Sequence, residues 1–200
     1  MTLKEQEIFQ EFVDAKAILT GHFILSSGLH SDTYMQCARV LMQPQRAEKL
    51  CSALAQKITA RLGKNFADIV FAPAMGGVVV GYEMGRQLAL PTIFCERVNG
   101  VFELRRGFEL EKDARVLVLE DVITTGKSSL ETYELIKKLG GKIVAEASLV
   151  DRSNDDKLEE KMGVPVISLL KINVETFDEN NVPARLQGVP AIKPGSRFLK

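Results

Sequence analysis

The chain predicts a single α/β domain built on a doubly wound, mostly parallel sheet, and three observations carry that prediction. Short, nearly continuous apolar runs recur at residues 68–72, 92–95, 115–119, 143–150 and 164–170. Stretches of helical character separate them, the order expected when parallel strands alternate with crossover helices and are buried on both faces. With 200 residues and 46% hydrophobic content, the chain can close a full core around one such sheet.

Each element has a local reason. From Leu3 to Leu19, apolar residues at Leu3, Ile8, Phe12, Ala15, Ile18 and Leu19 recur at roughly helical spacing, and Gly21 offers a stop. Phe23-Ile24-Leu25 and Thr33-Tyr34-Met35-Gln36 flank a turn at Ser27-Gly28, which suits a small hairpin. Pro44 opens a helix that runs to about Leu62, and Gly63 closes it. After the first core strand the chain breaks at Pro73-Ala74-Met75-Gly76-Gly77 and becomes helical up to Ala89. Asn99-Gly100, between Val98 and Val101-Phe102, is a hairpin turn inside the segment 97–108, which reads as a flexible β-arm. The tail after Phe177, with Pro183, Pro190 and Pro194, reads as irregular surface packing. The domain therefore spans 1–200, with 1–40 as an N-terminal extension.

Bulk properties remove several function classes. Lys+Arg and Asp+Glu stand at 26 each, so no global field attracts nucleic acid or anionic lipid. Cys37, Cys51 and Cys95 are odd in number and lack CxxC spacing, which points away from disulfides and thiolate metal cages and toward a reducing cytoplasm. The start of the chain lacks a signal-peptide core, and no apolar run approaches membrane-spanning length. The expectation is a cytoplasmic protein with no membrane and no nucleic-acid partner.

The informative loop is Glu120-Asp121-Val122-Ile123-Thr124-Thr125-Gly126-Lys127-Ser128. It follows an apolar strand and leads into a helix beginning near Lys127 or Ser128, so backbone N–H groups and hydroxyls converge where a phosphate dianion is stabilised. Gly126 permits close backbone approach. Glu120 and Asp121, read as a solvent-facing strand end, can accept hydrogen bonds from vicinal sugar hydroxyls. Residue types alone leave open an ordinary helix cap beside a solvated strand end. A nucleotide P-loop is excluded by spacing, because its first glycine would fall on Asp121. No GxGxxG follows any expected strand.

Two acids, an apolar pair, Thr-Thr-Gly and a small hydroxyl residue after a strand resemble the signature of the type I phosphoribosyltransferases, which bind phosphoribosyl pyrophosphate (PRPP). The resemblance covers essentially the whole chain and is nearest to the orotate phosphoribosyltransferases. Four segments carry it: 21–28, similar to the family's F-x-L-x-S-G stretch; 73–77, similar to a pyrophosphate loop; the arm from Glu96-Arg97, similar to a hood over the partner's site; and 149–152, which puts Arg152 at the orotate-binding arginine. It implies that Glu120 to Ser128, with Arg97, Met75 and Gly76, bind PRPP. It implies Thr124, Arg152, Phe23 and Leu25 for orotate, and Arg97, Arg105, Arg106 and Asp121 in catalysis. It further implies Mg2+ held mainly through PRPP rather than by protein ligands, and a homodimer with arms acting across the interface.

Arg152 also has a chemical rationale, since a guanidinium grips the orotate carboxylate in a bidentate pair. Without the resemblance, a surface ion pair with Asp151 or Asp155 is the plainer reading. Other branches carry lysine at the positions of Ser26 and Gly76, and a lysine-rich hood with histidine where this chain has 98–103. The arm arginines are the available substitutes. His22 and His30 read as surface residues. The expected activity is transfer of phosphoribosyl from PRPP to orotate, giving orotidine 5'-monophosphate and pyrophosphate. The alternatives are an enzyme for another base and a non-catalytic nucleotide-sensing regulator of the same fold.

Overall fold

The structure, a computed structural model, describes residues 4–25 and 27–194. Met1 to Leu3 and Ser26, used in the sequence reading, lie outside the described residues. Helix α1 (Glu5–Asp14) buries Ile8 and Phe12. It stops short of Leu19 because Lys16 adopts a left-handed φ of 52°, which turns the chain out of the helix. Leu19 and Gly21 instead belong to strand β1 (Ile18–Ile24), which pairs antiparallel with β2 (His30–Met35) as the expected hairpin. Two helices follow, the short α2 (Ala38–Leu41) and α3 (Pro44–Leu62); α3 has Pro44 in its first turn and Gly63 after its end at φ 81°.

The main sheet is assembled from β3 (Ile69–Pro73), β4 (Thr92–Val98), β5 (Val101–Leu104), β6 (Arg115–Ile123), β7 (Lys142–Asp151) and β8 (Val166–Lys171). Their spatial order is β5-β4-β3-β6-β7-β8, parallel throughout except for the β4–β5 hairpin at one edge. Helices α4 (Gly76–Leu88), α5 (Lys127–Lys138) and α6 (Leu158–Met162) complete the layers. Side chains of β6 alternate between two cores: Leu117 and Leu119 join the α3/α4 side, while Val116 and Val118 join the α5 side. Each fully buried aliphatic chain contributes about 1.5–3 kcal/mol.

Order along the sheet reverses between β3 and β6, its two central strands. Loops leaving adjacent strands at such a point diverge to opposite faces and open a crevice at the carboxyl ends. The segments 73–76 and 123–127 meet there.

Three readings need correction. β6 does not end before Glu120; it continues to Ile123 because β7 runs alongside and pairs as far as Ile123↔Asp151. Glu120 is consequently buried at 8% exposure rather than solvated. His22 and His30 are buried, with His22 Nε2 2.6 Å from His30 Nδ1 and His22 Nδ1 2.9 Å from Val189 O. The tail is thus more than surface packing: Phe177 bridges to His30 and Ile192 to Phe23, clamping the hairpin against the domain. Among the described residues no helix is long and apolar enough to cross a membrane.

Candidate active site

The crevice is built by two helix starts. Gly126 precedes α5 in a left-handed conformation, φ 73°, and a Cβ there would sit 2.2 Å from Met162 Cε of α6. Only glycine fits both constraints. Thr124 and Thr125 are exposed beside it, and Lys127 is exposed as well. The first amides of α5 therefore face the crevice with their intrahelical partners missing, a ready anion site. Lys161 Nζ donates to Thr125 O at 2.7 Å, adding a cation at the loop that the sequence reading did not single out.

From the β3 side, Met75 and Gly76 start α4 and are exposed. A Cβ on Gly76 would lie 2.5 Å from Asp121 Oδ1, so the glycine is what lets this carboxylate occupy the crevice wall. The lysine that other branches carry at this position would displace Asp121. Burial lifts the Asp121 carboxyl above the ordinary aspartate range, while the Val122 amide and its own N–H pull the other way. The sequence reading placed this group in solvent; it is largely shielded.

Arg152 enters from β7, positioned by its own backbone N–H, which donates to Ile123 O at 2.8 Å. Its Nε and Nη1 are buried and have no partner. The ion-pair alternatives do not form: Asp151 Oδ1 accepts from the Ser153 N–H at 2.8 Å, and Asp155 Oδ1 from Lys157 N–H at 2.9 Å. Burial pushes the guanidinium pKa down, and the Tyr34 and Cys37 side chains lie near enough to act against that shift. Burial likewise raises the Tyr34 hydroxyl, opposed by Arg152 and reinforced by Asp121. The Tyr34 ring also stands 5.7 Å from that of Phe23, whose side chain is buried along with Leu25. Tyr34, Arg152 and Asp121 thus share one pocket wall.

The arm arginines are placed unevenly. Arg97 is held by Glu131 of α5, donates to Gly100 O at 2.8 Å and lies 3.9 Å over the Phe102 ring. Arg106 forms a two-point pair with Glu96 at 2.7 and 2.9 Å. Arg105 is exposed and makes no ion pair among the described residues. The hairpin itself is the sheet edge, anchored by buried Phe102.

The profile of the phosphoribosyl transferase domain family matches residues 40–187. An orotate phosphoribosyltransferase of Erythrobacter litoralis is 52% identical over 195 residues, covering 98% of this chain and 99% of that protein. The chain belongs to the orotate phosphoribosyltransferase family. The crystal structure of orotate phosphoribosyltransferase from Aeropyrum pernix superposes with a TM-score of 0.68 at 25% identity, over 82% of this chain and 93% of that one. Adenine phosphoribosyltransferase from Thermoanaerobacter pseudethanolicus superposes at 0.60 with 20% identity, over 70% and 88%. The fold is shared by enzymes named for different bases, so base choice in this orotate phosphoribosyltransferase family member rests on its pocket residues.

Tyr34, Cys37 and Lys161 are the pocket and loop residues that sequence reasoning missed. Tyr34 carried a weak signal as a polar aromatic in the extension, but nothing local tied it to Arg152. Lys161 carried none, because its partner is a backbone carbonyl on a distant loop.

Proposed function

We propose that the crevice between β3 and β6 binds PRPP and transfers its phosphoribosyl group to orotate, producing orotidine 5'-monophosphate and pyrophosphate. The observation that carries the choice of base is Arg152, a buried guanidinium with two unpartnered nitrogens. A buried cation without an anion is costly, and an orotate carboxylate meets it with two parallel charge-assisted bonds. A neutral purine offers no such group.

In this reading the loop 124–128 anchors the 5'-phosphate, and Asp121 with Glu120 holds the ribose hydroxyls. Met75 and Gly76, at the start of α4, face the pyrophosphate. Thr124, Phe23, Leu25 and Tyr34 frame the base. As the C1–O bond to pyrophosphate breaks, positive charge builds on the ribose ring. Orotate's ring nitrogen then captures C1 and gives up its N–H proton to a pyrophosphate oxygen, so no protein nucleophile is needed. The protein aligns the two reactants, shields them from water and places the Asp121 carboxylate close to the developing charge. Among the described residues no group of three or more His, Cys, Asp or Glu gathers as a metal cage. Magnesium, held mainly through PRPP rather than by protein ligands, would supply charge neutralisation for the leaving pyrophosphate.

Met75, Val79 and Tyr82 are exposed at 80%, 51% and 73% along one face of α4. Such an apolar stripe suits the face of a homodimer. Arg105, the arginine without an ion pair, is then the arm residue best suited to reach a partner's pyrophosphate. Mixing Arg105→Ala with Arg152→Ala protein should restore activity, because heterodimers would hold one intact composite site. Absence of recovery would place the arm's action within its own subunit.

Calorimetric titration tests the base assignment. Uracil, which lacks only the carboxylate, should bind roughly 10- to 150-fold more weakly than orotate, given about 1.5–3 kcal/mol for bonds to a charged group. Equal affinities would remove Arg152 from base recognition.

A further inference from the structure

Beneath the phosphate loop lies a carboxyl group that the reaction does not use. Glu146 of β7 is fully buried at 0% exposure, on the side of the sheet that α5 covers. Its Oε2 accepts a hydrogen bond from the Tyr133 hydroxyl at 2.6 Å, and the buried Ser129 lies one turn earlier in the same helix. Its Oε1 has no partner. Ser129 and Tyr133 are four residues apart and so lie on one face of α5, one turn apart. Ser129 is the third residue of that helix, within the turn whose amides face the crevice.

We propose that Glu146 is a positioning residue for PRPP, tying the second turn of α5 to β7 through Tyr133 and so fixing where the phosphate-facing amides point. The assignment of the 5'-phosphate to the loop 124–128 is its premise. A directional bond buried under the helix restrains both its axial height and its rotation. Amide donors aimed at an anion are sensitive to both.

The geometry also dictates the form of the acid. No cation is paired with Glu146 among the described residues, and burying an unpaired carboxylate costs several kcal/mol. A neutral acid avoids that cost and still accepts from Tyr133. It also keeps negative charge away from the bound phosphate. Glutamine has the same length and the same donor-plus-acceptor head, so it should substitute.

Steady-state kinetics on the full-length protein separates these cases. Glu146→Ala should raise KM for PRPP by about 10-fold or more, as expected when donors are misplaced by a fraction of an ångström, with KM for orotate unchanged. Glu146→Gln should stay within about twofold of the parent for both substrates. Should Glu146→Ala not fold, Tyr133→Phe, which removes the hydroxyl that bonds to Glu146, should raise the PRPP KM in the same selective way. The proposal fails if the PRPP KM does not move, if both KM values rise together, or if Glu146→Gln is as impaired as Glu146→Ala. Thr125→Val distinguishes the premise. An unchanged PRPP KM there would overturn the loop assignment itself, whereas a raised one beside an unmoved Glu146→Ala would overturn only the role of Glu146.

Discussion

Arg152→Ala is expected to raise the KM for orotate by one to two orders of magnitude while PRPP binding changes little. The guanidinium is buried and has two nitrogens without partners, while the backbone N–H of the residue donates to Ile123 O. A bidentate charge-assisted contact at such a site contributes about 1.5–3 kcal/mol, or roughly 10- to 150-fold. Folding should not suffer, since removal of an unpaired buried cation relieves a desolvation cost. Isothermal titration of the two substrates measures the separation. Parallel loss of both affinities would mean that Arg152 supports the crevice as a whole.

Asp121→Asn is expected to lower kcat/KM for PRPP by about 100-fold or more, the scale seen when one fixed electrostatic stabiliser is removed from a transition state. Asparagine keeps the shape but loses the charge that the proposed mechanism sets beside the ribose. The pH profile gives a second readout. Because burial raises the Asp121 pKa, its protonated fraction grows as pH falls through a value above the ordinary 3.8. Wild-type activity should therefore decline on the acid side before ordinary aspartates titrate, and Asp121→Asn should lack that limb. Stability should move the other way. A folded-state pKa raised above the unfolded one costs stability once pH exceeds the unfolded value, so Asn at neutral pH should match or exceed the wild-type Tm.

Elements governed by local pattern were legible in the sequence. The core strands announced themselves as apolar runs because parallel strands here are covered on both faces, and α3 was bracketed by Pro44 and Gly63. The hairpin at Asn99-Gly100 followed from residues that tolerate positive φ, observed at 50° and 86°. The turn from β6 into α5 was legible for the same reason, since its signals are contiguous.

What escaped depends on distant partners. β6 was cut short because Glu120 and Asp121 look like a solvated end, whereas β7 extends the ladder past them. His22 and His30 were placed on the surface because nothing near them reveals Val189, whose carbonyl bonds the pair. The arm arginines looked interchangeable as a cluster, yet Glu131 and Glu96 occupy two of them. The role of Gly76 became visible only when Asp121 was found against it.

One assay tests the central claim most directly: the protein with magnesium and PRPP, followed by ultraviolet absorbance against orotate, uracil, hypoxanthine and xanthine in parallel. Turnover of orotate, with the other three bases slow or silent, is the predicted result. Turnover of a purine with orotate left intact would contradict it.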